Sequence, residues 1–311
     1  HLLFLLVALG VMMAMTTLKP SGMKKIGLAL FVAAYVGTLL TFVIGVEVKG
    51  ARRWIELAGQ SVQPTEFLKA GFIIVTAWLL SSREKVTQWQ GYLASIAMIG
   101  MVTLPVLLQP NFGMVLALGA VWFAQVFMAG LPLLWLVPLV AAGLLTVVGS
   151  YTMLPHVRDR LERFINPADN DTYQVDQAFE AISSGHIWGR GAGEGMVKHT
   201  LPDAHTDFIF AVVVEEFGIV AGLLIMGVFT ALVWRGFSRL LRQEDTFTLL
   251  AGGGFLTLLT LHVVVNIGVS LHVLPTTGMT LPFISYGGSS TLAMALTVGF
   301  LLALLRKRRL A

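Results

Sequence analysis

The segment LPDAHTDFIFA (residues 201–211) marks the point where a long polar loop ends and an apolar run of membrane-helix length begins. It contains two carboxylates, a histidine and a threonine directly ahead of that run. A charged group at such a boundary can meet both water and a lipid-borne substrate. Asp207 is therefore the strongest candidate for a catalytic group in this chain.

The same residues also fit a structural interpretation. Asp203, Thr206 and Asp207 are residue types that stabilise the unpaired backbone amides at a helix N-terminus. Glu215 follows Asp207 by eight residues, which is roughly 80° around a helix, so we expect it to line the same side. From the residues alone, capping and catalysis both remain open for Asp207.

The composition is typical of a polytopic membrane protein. Of the 311 residues, 56% are hydrophobic and 12% are charged, with a mean hydropathy of +0.80. A soluble domain has about 25% charged residues. The absence of cysteine excludes disulfides and thiolate metal sites. The net charge of +4 is not clustered on a soluble face, so no nucleic-acid partner is expected.

Apolar runs account for most of the chain, and nine of them are long enough to span a bilayer as helices. We therefore predict an all-α polytopic membrane fold that forms a single domain over residues 1–311, with 151–206 as a large extracytoplasmic loop. The predicted spans cover about 2–17, 26–46, 64–81, 92–108, 112–129, 132–150, 207–234, 246–273 and 289–305.

Charges in the connecting segments predict the orientation of these spans. Alternate connections from 18–25 onward contain twelve Lys and Arg residues and three acids. The opposite set contains eight Lys and Arg residues and eleven acids, with Asp207 included. The positive-inside rule places the first set in the cytoplasm. The loop 151–206 and the start of the span that contains Asp207 are then extracytoplasmic.

A second polar region, residues 47–69, lies on the same predicted side of the membrane. Glu66 and Lys69 are three residues apart and share a helix face, which suits a structural ion pair. The functional alternative is an anionic-substrate site built from Arg52, Arg53 and Lys69. Lys69 favours this alternative, because an ammonium group one turn inside a membrane helix is costly.

Other breaks in the apolar pattern have both structural and functional interpretations. Gln109 begins the segment QPNFG (109–113), which reads as a tight turn and alternatively as a substrate contact. The loop 274–290 contains two prolines and three glycines, so we expect a re-entrant segment beside Asp207. Asn266, in the preceding span, is expected to hydrogen-bond between helices.

The loop 151–206 is expected to contain two short helices, at 158–163 and 175–183, with a turn-rich segment at 166–173 between them. Its glycine-rich part, GRGAG (189–193), is not a dinucleotide-binding fingerprint, because no strand precedes it. We expect a loop whose backbone approaches a substrate or a partner.

Five motifs occur in an order that resembles the SEDS family of shape, elongation, division and sporulation proteins (FtsW, RodA and SpoVE), and most closely its alphaproteobacterial FtsW branch. The resemblance covers essentially the whole chain. The motifs are KGARRWI (49–55), QPTEFLK (63–69), QPNFG (109–113), AHTDFIFA (204–211) and LPFISYGGS (281–289).

The resemblance implies a ten-helix glycosyltransferase of the bacterial inner membrane, so we expect the family's first helix to be missing here. Such an enzyme polymerises lipid II into β-1,4-linked glycan strands during septal wall synthesis. The family's essential aspartate falls on Asp207, with Glu215 and Asn266 in support. The candidate substrate-binding residues are Arg52, Arg53, Glu66, Lys69, Gln109, His205, Thr206, Ser285 and Ser289.

Asp207 is expected to act as the general base, while the basic residues or a divalent cation (Mg²⁺ or Mn²⁺) stabilise the departing undecaprenyl diphosphate.

Two residues depart from the family pattern. Asn111 stands where relatives often have aspartate, which weakens a metal site in that turn. His199 stands where many relatives have glutamate. The resemblance also implies a class B penicillin-binding protein (an FtsI-type transpeptidase) and other division proteins as partners.

Two functions from other classes remain as alternatives. A lipid II flippase or other transporter would explain the broken helices and the predicted burial of Glu215, Glu216 and Lys69. No strong inverted repeat is evident, however, and the polar groups gather on one face of the membrane rather than at its midplane. A non-catalytic scaffold of the division machinery would use 151–206 as a docking surface.

Overall fold

The structure, a computed structural model, describes residues 2–48, 50–57, 59–82, 88–166 and 173–306. Part of the predicted turn-rich segment 166–173 therefore lies outside the described residues. The strands are β1 (Val46–Val48), β2 (Ala51–Leu57) and β3 (Gln60–Val62). The helices are α1 (Leu2–Thr16), α2 (Pro20–Ile44), α3 (Pro64–Ser81), α4 (Gln88–Leu108), α5 (Phe112–Met128), α6 (Leu136–Met153), α7 (Pro155–Ile165), α8 (Tyr173–Gly185), α9 (Ile209–Leu240), α10 (Thr246–Ser270) and α11 (Gly288–Leu305).

Each apolar run predicted from the sequence is helical, in α1 to α6 and α9 to α11. Among the described helices, five are long and apolar enough to cross a membrane, or six if α6 and α7 form one span bent by 98°. Helices α1 and α5 are shorter apolar helices. The chain is thus a mainly helical, multi-pass membrane protein, and the count of nine spans stays a prediction.

The expectation of an all-α fold needs one correction, at residues 46–62. Strands β1, β2 and β3 form an antiparallel sheet in that order, with Glu47 opposite Arg52 in its first pair. Gly50 and Gly59, at the two turns, have φ of 75° and 78°, a left-handed conformation that glycine adopts without strain. A search for long apolar runs passes over such short strands.

The chain divides into two compact units, which are residues 1–136, 235–258 and 288–311, and residues 137–234 and 259–287. In the first unit, α2 packs along α3, and α1 packs along α11. Gly71 of α3 lies against the backbone of Phe31 in α2, so a side chain at this position would collide with that helix. Small residues of this kind allow membrane helices to approach closely.

The core of the second unit surrounds the start of α9. Phe208 packs with Ala178 and Ala181 of α8 and with Val269 of α10. On another face, Phe210 and Val214 pack with Val263, Ile267 and Leu281. Apolar residues on both sides of Asp207 therefore fix the backbone of the segment predicted to contain the chemistry.

Candidate functional site

Asp207 lies in a series of turns at residues 201–208, and α9 begins two residues after it. The backbone amides of Thr206 and Asp207 donate to the carbonyl of Asp203, at 3.0 and 3.1 Å. Asp203 has a φ of +55°, a left-handed conformation in which aspartate and asparagine are enriched. The side chain of Asp207 is half-buried, next to the fully buried Phe208.

Hydrogen bonds hold the broken segment between α10 and α11 against the turns around Asp207. The hydroxyl of Ser285 donates to the carbonyl of Thr206 at 2.6 Å, and the amide of Tyr286 donates to the carbonyl of His205 at 2.7 Å. The backbone of this segment thus lies beside Asp207, as the broken sequence pattern predicts. The predicted contact of Ser285 with substrate stays a prediction, because its buried hydroxyl also accepts from the amide of Leu281 at 2.8 Å.

Asn266 connects the same two segments from α10. Its side-chain amide donates to the carbonyl of Asp207 at 2.9 Å and to the carbonyl of Met279 at 2.8 Å. The residue is 1% exposed, so both bonds are shielded from water. This geometry attaches Asn266 to the backbone of the candidate base, and its supporting role in the site stays a prediction.

His205 and Thr206 occupy different environments beside Asp207. His205 is exposed, whereas Thr206 is half-buried and its hydroxyl donates to the carbonyl of Asp203 at 3.2 Å. His205 is therefore the more accessible of the two for a substrate. Their substrate-binding roles stay predictions.

Glu215 is fully buried, and its carboxylate binds the loop that contains GRGAG. We name this loop, residues 186–198, the glycine-rich loop. It accepts from the backbone amides of Met196, Val197 and Lys198, at 2.7, 2.8 and 3.1 Å. Its neighbour Glu216 pairs with the ammonium group of Lys198. Glu215 therefore anchors a loop, an arrangement that its helical spacing from Asp207 did not indicate, and its supporting role towards the candidate base stays a prediction.

The basic candidates of the first unit have distinct partners. Arg53 donates to the backbone carbonyls of Gln109 and Pro110, and so braces the QPNFG turn. Gln109 is buried and donates to the carbonyl of Thr38 at 2.9 Å. Arg52 lies 3.4 Å from Glu47, with both side chains more than half exposed.

The predicted pair of Glu66 and Lys69 is present at the start of α3. The carboxylate and ammonium groups lie 2.9 Å apart, and the side chains are 13% and 5% exposed. Ser289, at the start of α11, donates to the carbonyl of Ser61 and accepts from the amide of Gln63. The predicted roles of these residues in binding an anionic substrate stay predictions.

Sequence reasoning missed two arginines of α7. Arg160 and Arg163 line a cavity of about 250 Å³ in the second unit, together with residues of α8 and of the segment His272–Thr276. Their spacing of three residues was a usable signal, because it places both side chains on one helix face. The prediction instead treated 158–163 only as a short helix of the loop 151–206.

The described residues contain no group of three or more His, Asp or Glu side chains that could hold a metal ion. A divalent cation held by the described residues would therefore have fewer than three such ligands, with water or substrate supplying the others. Its participation stays a proposal to be tested.

The apolar helices, the half-buried carboxylate at the start of one of them and the broken segment bound to its backbone define a class of protein. This is a multi-pass membrane protein with a candidate acid–base site where a span begins. The family model described as "Cell cycle protein" (FtsW, RodA and SpoVE) matches residues 1–310. The chain belongs to this family.

Curated relatives agree with the assignment to this family. The chain is 37% identical over 306 residues to "Probable peptidoglycan glycosyltransferase FtsW" of Caulobacter vibrioides, an alignment that covers 98% of the chain and 78% of the relative. It is 33% identical over 272 residues to "Stage V sporulation protein E" of Bacillus subtilis, with 86% and 76% covered.

Solved structures share the fold. One is described as "Structural coordination of polymerization and crosslinking by a peptidoglycan synthase complex", with a TM-score of 0.76, 31% identity and coverage of 100% of this chain and 90% of that chain. Another is the rod shape determining protein RodA of Thermus thermophilus, with a TM-score of 0.67, 30% identity and 98% and 87% covered.

Proposed function

We propose that this protein is a peptidoglycan glycosyltransferase that polymerises lipid II, with Asp207 as the general base. The family and the names of its relatives support the activity. The geometry of the Asp207 segment supports the choice of base. Its carboxylate is half-buried, and its backbone is fixed by Asn266 and by the buried Phe208.

In the proposed reaction, Asp207 removes the proton from the 4-hydroxyl of the acceptor N-acetylglucosamine. The oxygen attacks the anomeric carbon of the donor sugar and forms the new glycosidic bond. The bond from that carbon to the diphosphate breaks, and undecaprenyl diphosphate leaves with the electron pair. Attack opposite an α-linked diphosphate inverts the carbon and produces a β-linkage.

We further propose that the protein lies in the bacterial inner membrane with Asp207 on the extracytoplasmic side. Charge in the connecting segments supports this orientation. A related structure concerns a complex that couples polymerisation with crosslinking. A penicillin-binding transpeptidase is therefore the partner that we propose for crosslinking.

The alternative of a lipid II transporter loses part of its support in the structure. Each buried carboxylate or ammonium group that favoured it has a structural partner. Glu215 binds three backbone amides, Glu216 pairs with Lys198, and Lys69 pairs with Glu66. Charges that are fixed in this way are poorly suited to a proton relay, which must change protonation during transport.

The decisive experiment compares wild type, Asp207→Asn and Asp203→Asn in lipid II polymerisation with the proposed partner, with and without a divalent-metal chelator. We expect Asp207→Asn to lose glycan synthesis by at least about 100-fold, because general-base catalysis contributes on that order. Asp203→Asn is the matched control, since asparagine accepts the left-handed backbone at this position.

If folded Asp207→Asn polymerises lipid II at the wild-type rate, with the partner's own synthesis excluded, Asp207 is not the general base. Headgroup translocation without polymerisation by wild type would favour a transporter, and inactivity in both assays would favour a scaffold. Loss of wild-type activity in chelator, restored by added Mg²⁺ or Mn²⁺, would establish the cation requirement.

A further inference from the structure

The cavity of the second unit is formed by four parts of the chain, one of which is Pro202. Helix α7 contributes Arg160, Arg163 and Phe164, the start of α8 contributes Tyr173, and the remainder includes the segment His272–Thr276. The volume of about 250 Å³ is below the roughly 300–1,000 Å³ of sites for drug-sized ligands. The cavity therefore fits a head group rather than a whole lipid-linked disaccharide.

The charged lining of the cavity is entirely basic. No carboxylate is among the described residues that line it, and neither Arg160 nor Arg163 forms an ion pair with a described residue. On the same helix, Arg158 does have such a partner, because its guanidinium lies 2.6 Å from the carboxylate of Glu162. Arg160 and Arg163 are thus available to an external anion.

The electrostatic environment of Arg160 indicates that an anion would be stabilised there. Burial lowers the pKa of Arg160, the charge of Asp207 opposes this effect, and the positive charge of Arg163 makes a smaller contribution that lowers the pKa. Arginine stays protonated in proteins, so two like charges face one partly dehydrated space. Asp207 offsets the burial of Arg160 only in part, because the pKa stays lowered, and a bound anion would stabilise the guanidinium further. The interaction with Asp207 also shows that the cavity lies within electrostatic reach of the candidate base.

The other lining residues supply an apolar surface beside the charges. Phe164, Val175, Pro202, Leu274 and Pro275 contribute to the walls. A guanidinium group binds phosphate oxygens through two parallel hydrogen bonds, and two arginines suit a group with several such oxygens. Phosphate attached to an apolar chain would match both parts of the lining.

We propose that this cavity binds the phosphate or diphosphate group of a lipid-linked substrate or product, with Arg160 and Arg163 as its ligands. The assignment to a lipid-linked group rests on the proposed function. It places phosphate recognition in the same unit as Asp207. In the first unit, by contrast, Arg53 is bonded to the carbonyls of a turn and Lys69 is paired with Glu66.

The test measures binding of geranylgeranyl diphosphate to the purified full chain in nanodiscs, with wild type and single variants. We expect Arg160→Gln and Arg163→Gln to weaken binding at least about tenfold, as charge-assisted bonds of roughly 1.5–3 kcal/mol imply. Arg158→Gln is the matched control on the same helix and should bind within about twofold of wild type. Because Arg163 is exposed, its variant tests binding with little effect on folding.

Two competitors identify the source of the phosphate. Competition by inorganic diphosphate at a similar concentration would show a site for the free anion and would overturn the lipid-linked assignment. Failure of both inorganic diphosphate and geranylgeraniol to compete supports a site that requires phosphate and an apolar chain together. Unchanged binding in both arginine variants would overturn the site itself.

A further variant separates this inference from the proposed function. Asp207→Asn should bind geranylgeranyl diphosphate at least as tightly as wild type, because Asp207 does not line the cavity and its negative charge opposes a second anion beside Arg160. Polymerisation by Asp207→Asn would contradict the general base and leave the binding result standing. Loss of binding in the arginine variants is therefore measured independently of catalysis.

Discussion

The carbonyl and the carboxylate of Asp207 have different tasks in the structure. Asn266 binds the carbonyl from α10, whereas the carboxylate is half-buried and is the group that we propose as the base. Because the side chain of Asn266 also binds the carbonyl of Met279, one amide group aligns the candidate base with the broken segment. Catalysis depends steeply on such alignment.

Asn266→Leu should therefore reduce the rate of polymerisation more than it weakens substrate binding. The substitution introduces an apolar side chain of similar size and removes the two N–H donors, so the carbonyls of Asp207 and Met279 lose these hydrogen bonds. We expect kcat to fall about tenfold or more with little change in KM, as measured in steady-state lipid II polymerisation.

His262→Leu provides the comparison from the same helix. It removes the hydrogen bond between His262 and the carbonyl of Thr280, but no hydrogen bond to Asp207. Its thermal midpoint should fall while its rate per folded molecule stays within about twofold of wild type. Equal losses of kcat in the two variants would mean that Asn266 acts only through the stability of the segment.

Residue types were easier to predict than their partners. The sequence indicated Asp207, Arg53, Gln109 and Ser285 from charge, polarity and family motifs. It could not show that Arg53 donates to a carbonyl 56 residues away, or that Ser285 donates to one 79 residues away. Such bonds depend on where the backbone of another element lies, and a local pattern does not contain this information.

At the scale of elements, the glycine-rich loop completes an interrupted helix. Gly218 in α9 has a φ of 80° and a ψ of 174°, which breaks the regular hydrogen bonding of the helix. The amide of Arg190 therefore donates to the carbonyl of Glu215, and the amide of Gly191 donates to that of Glu216. The helix also donates to the loop, because the amide of Ile219 donates to the carbonyl of His186.

Glu215→Gln should destabilise this junction without altering its shape. Glutamine keeps one oxygen, which accepts from the amides of Met196 and Val197 more weakly than a carboxylate does, and it places an NH2 group against the amide of Lys198. We expect a loss of about 2–4 kcal/mol and a clearly lower thermal midpoint in detergent. Glu194→Gln, an exposed acid of the same loop, should leave the midpoint almost unchanged. Equal midpoints for both variants would contradict the anchoring role.

Gly189 and Gly193 have a similar left-handed backbone but differ in the space around them, so substitutions at the two positions distinguish steric collision from backbone strain. Gly189 and Gly193 have φ of 81° and 85°, so alanine is strained at both positions. A methyl group at Gly189 would also collide with the carbonyl of Glu216. A methyl group at Gly193 would have no atom beyond its chain neighbours within 4 Å.

Gly189→Ala should consequently lower the thermal midpoint more than Gly193→Ala does. The difference corresponds to at least about 2 kcal/mol, because displacement of the loop breaks hydrogen bonds to α9. Limited proteolysis of the loop offers a second measurement, and cleavage should be faster in Gly189→Ala. Similar stability of the two variants would show that the loop tolerates displacement at Gly189.

The elements that were predicted correctly are those with a strong local signal. Long apolar runs gave α1 to α6 and α9 to α11, and the charged segment 158–163 lies within α7. The break at Gly218 and the short strands at 46–62 were missed. Both are stabilised by hydrogen bonds to neighbouring segments, and neither interrupts hydrophobicity over a length that a scan of spans detects.

For the whole molecule, orientation in the membrane decides whether Asp207 can meet an extracytoplasmic substrate. The chain contains no cysteine, so a single introduced thiol reports only its own position. Ser183, in the loop that precedes Asp207, and Glu244, in the connection between α9 and α10, are both exposed. The charge distribution predicts that these positions lie on opposite sides of the membrane.

Ser183→Cys should react with a membrane-impermeant maleimide in intact spheroplasts, whereas Glu244→Cys should react only after the membrane is permeabilised. Both thiols should react fully in detergent, which controls for their exposure. The reverse pattern would place Asp207 on the cytoplasmic side and remove it from extracytoplasmic glycan synthesis. The expected pattern, together with loss of polymerisation in Asp207→Asn, would join orientation and chemistry, because the base would then lie on the side where the glycan strand grows.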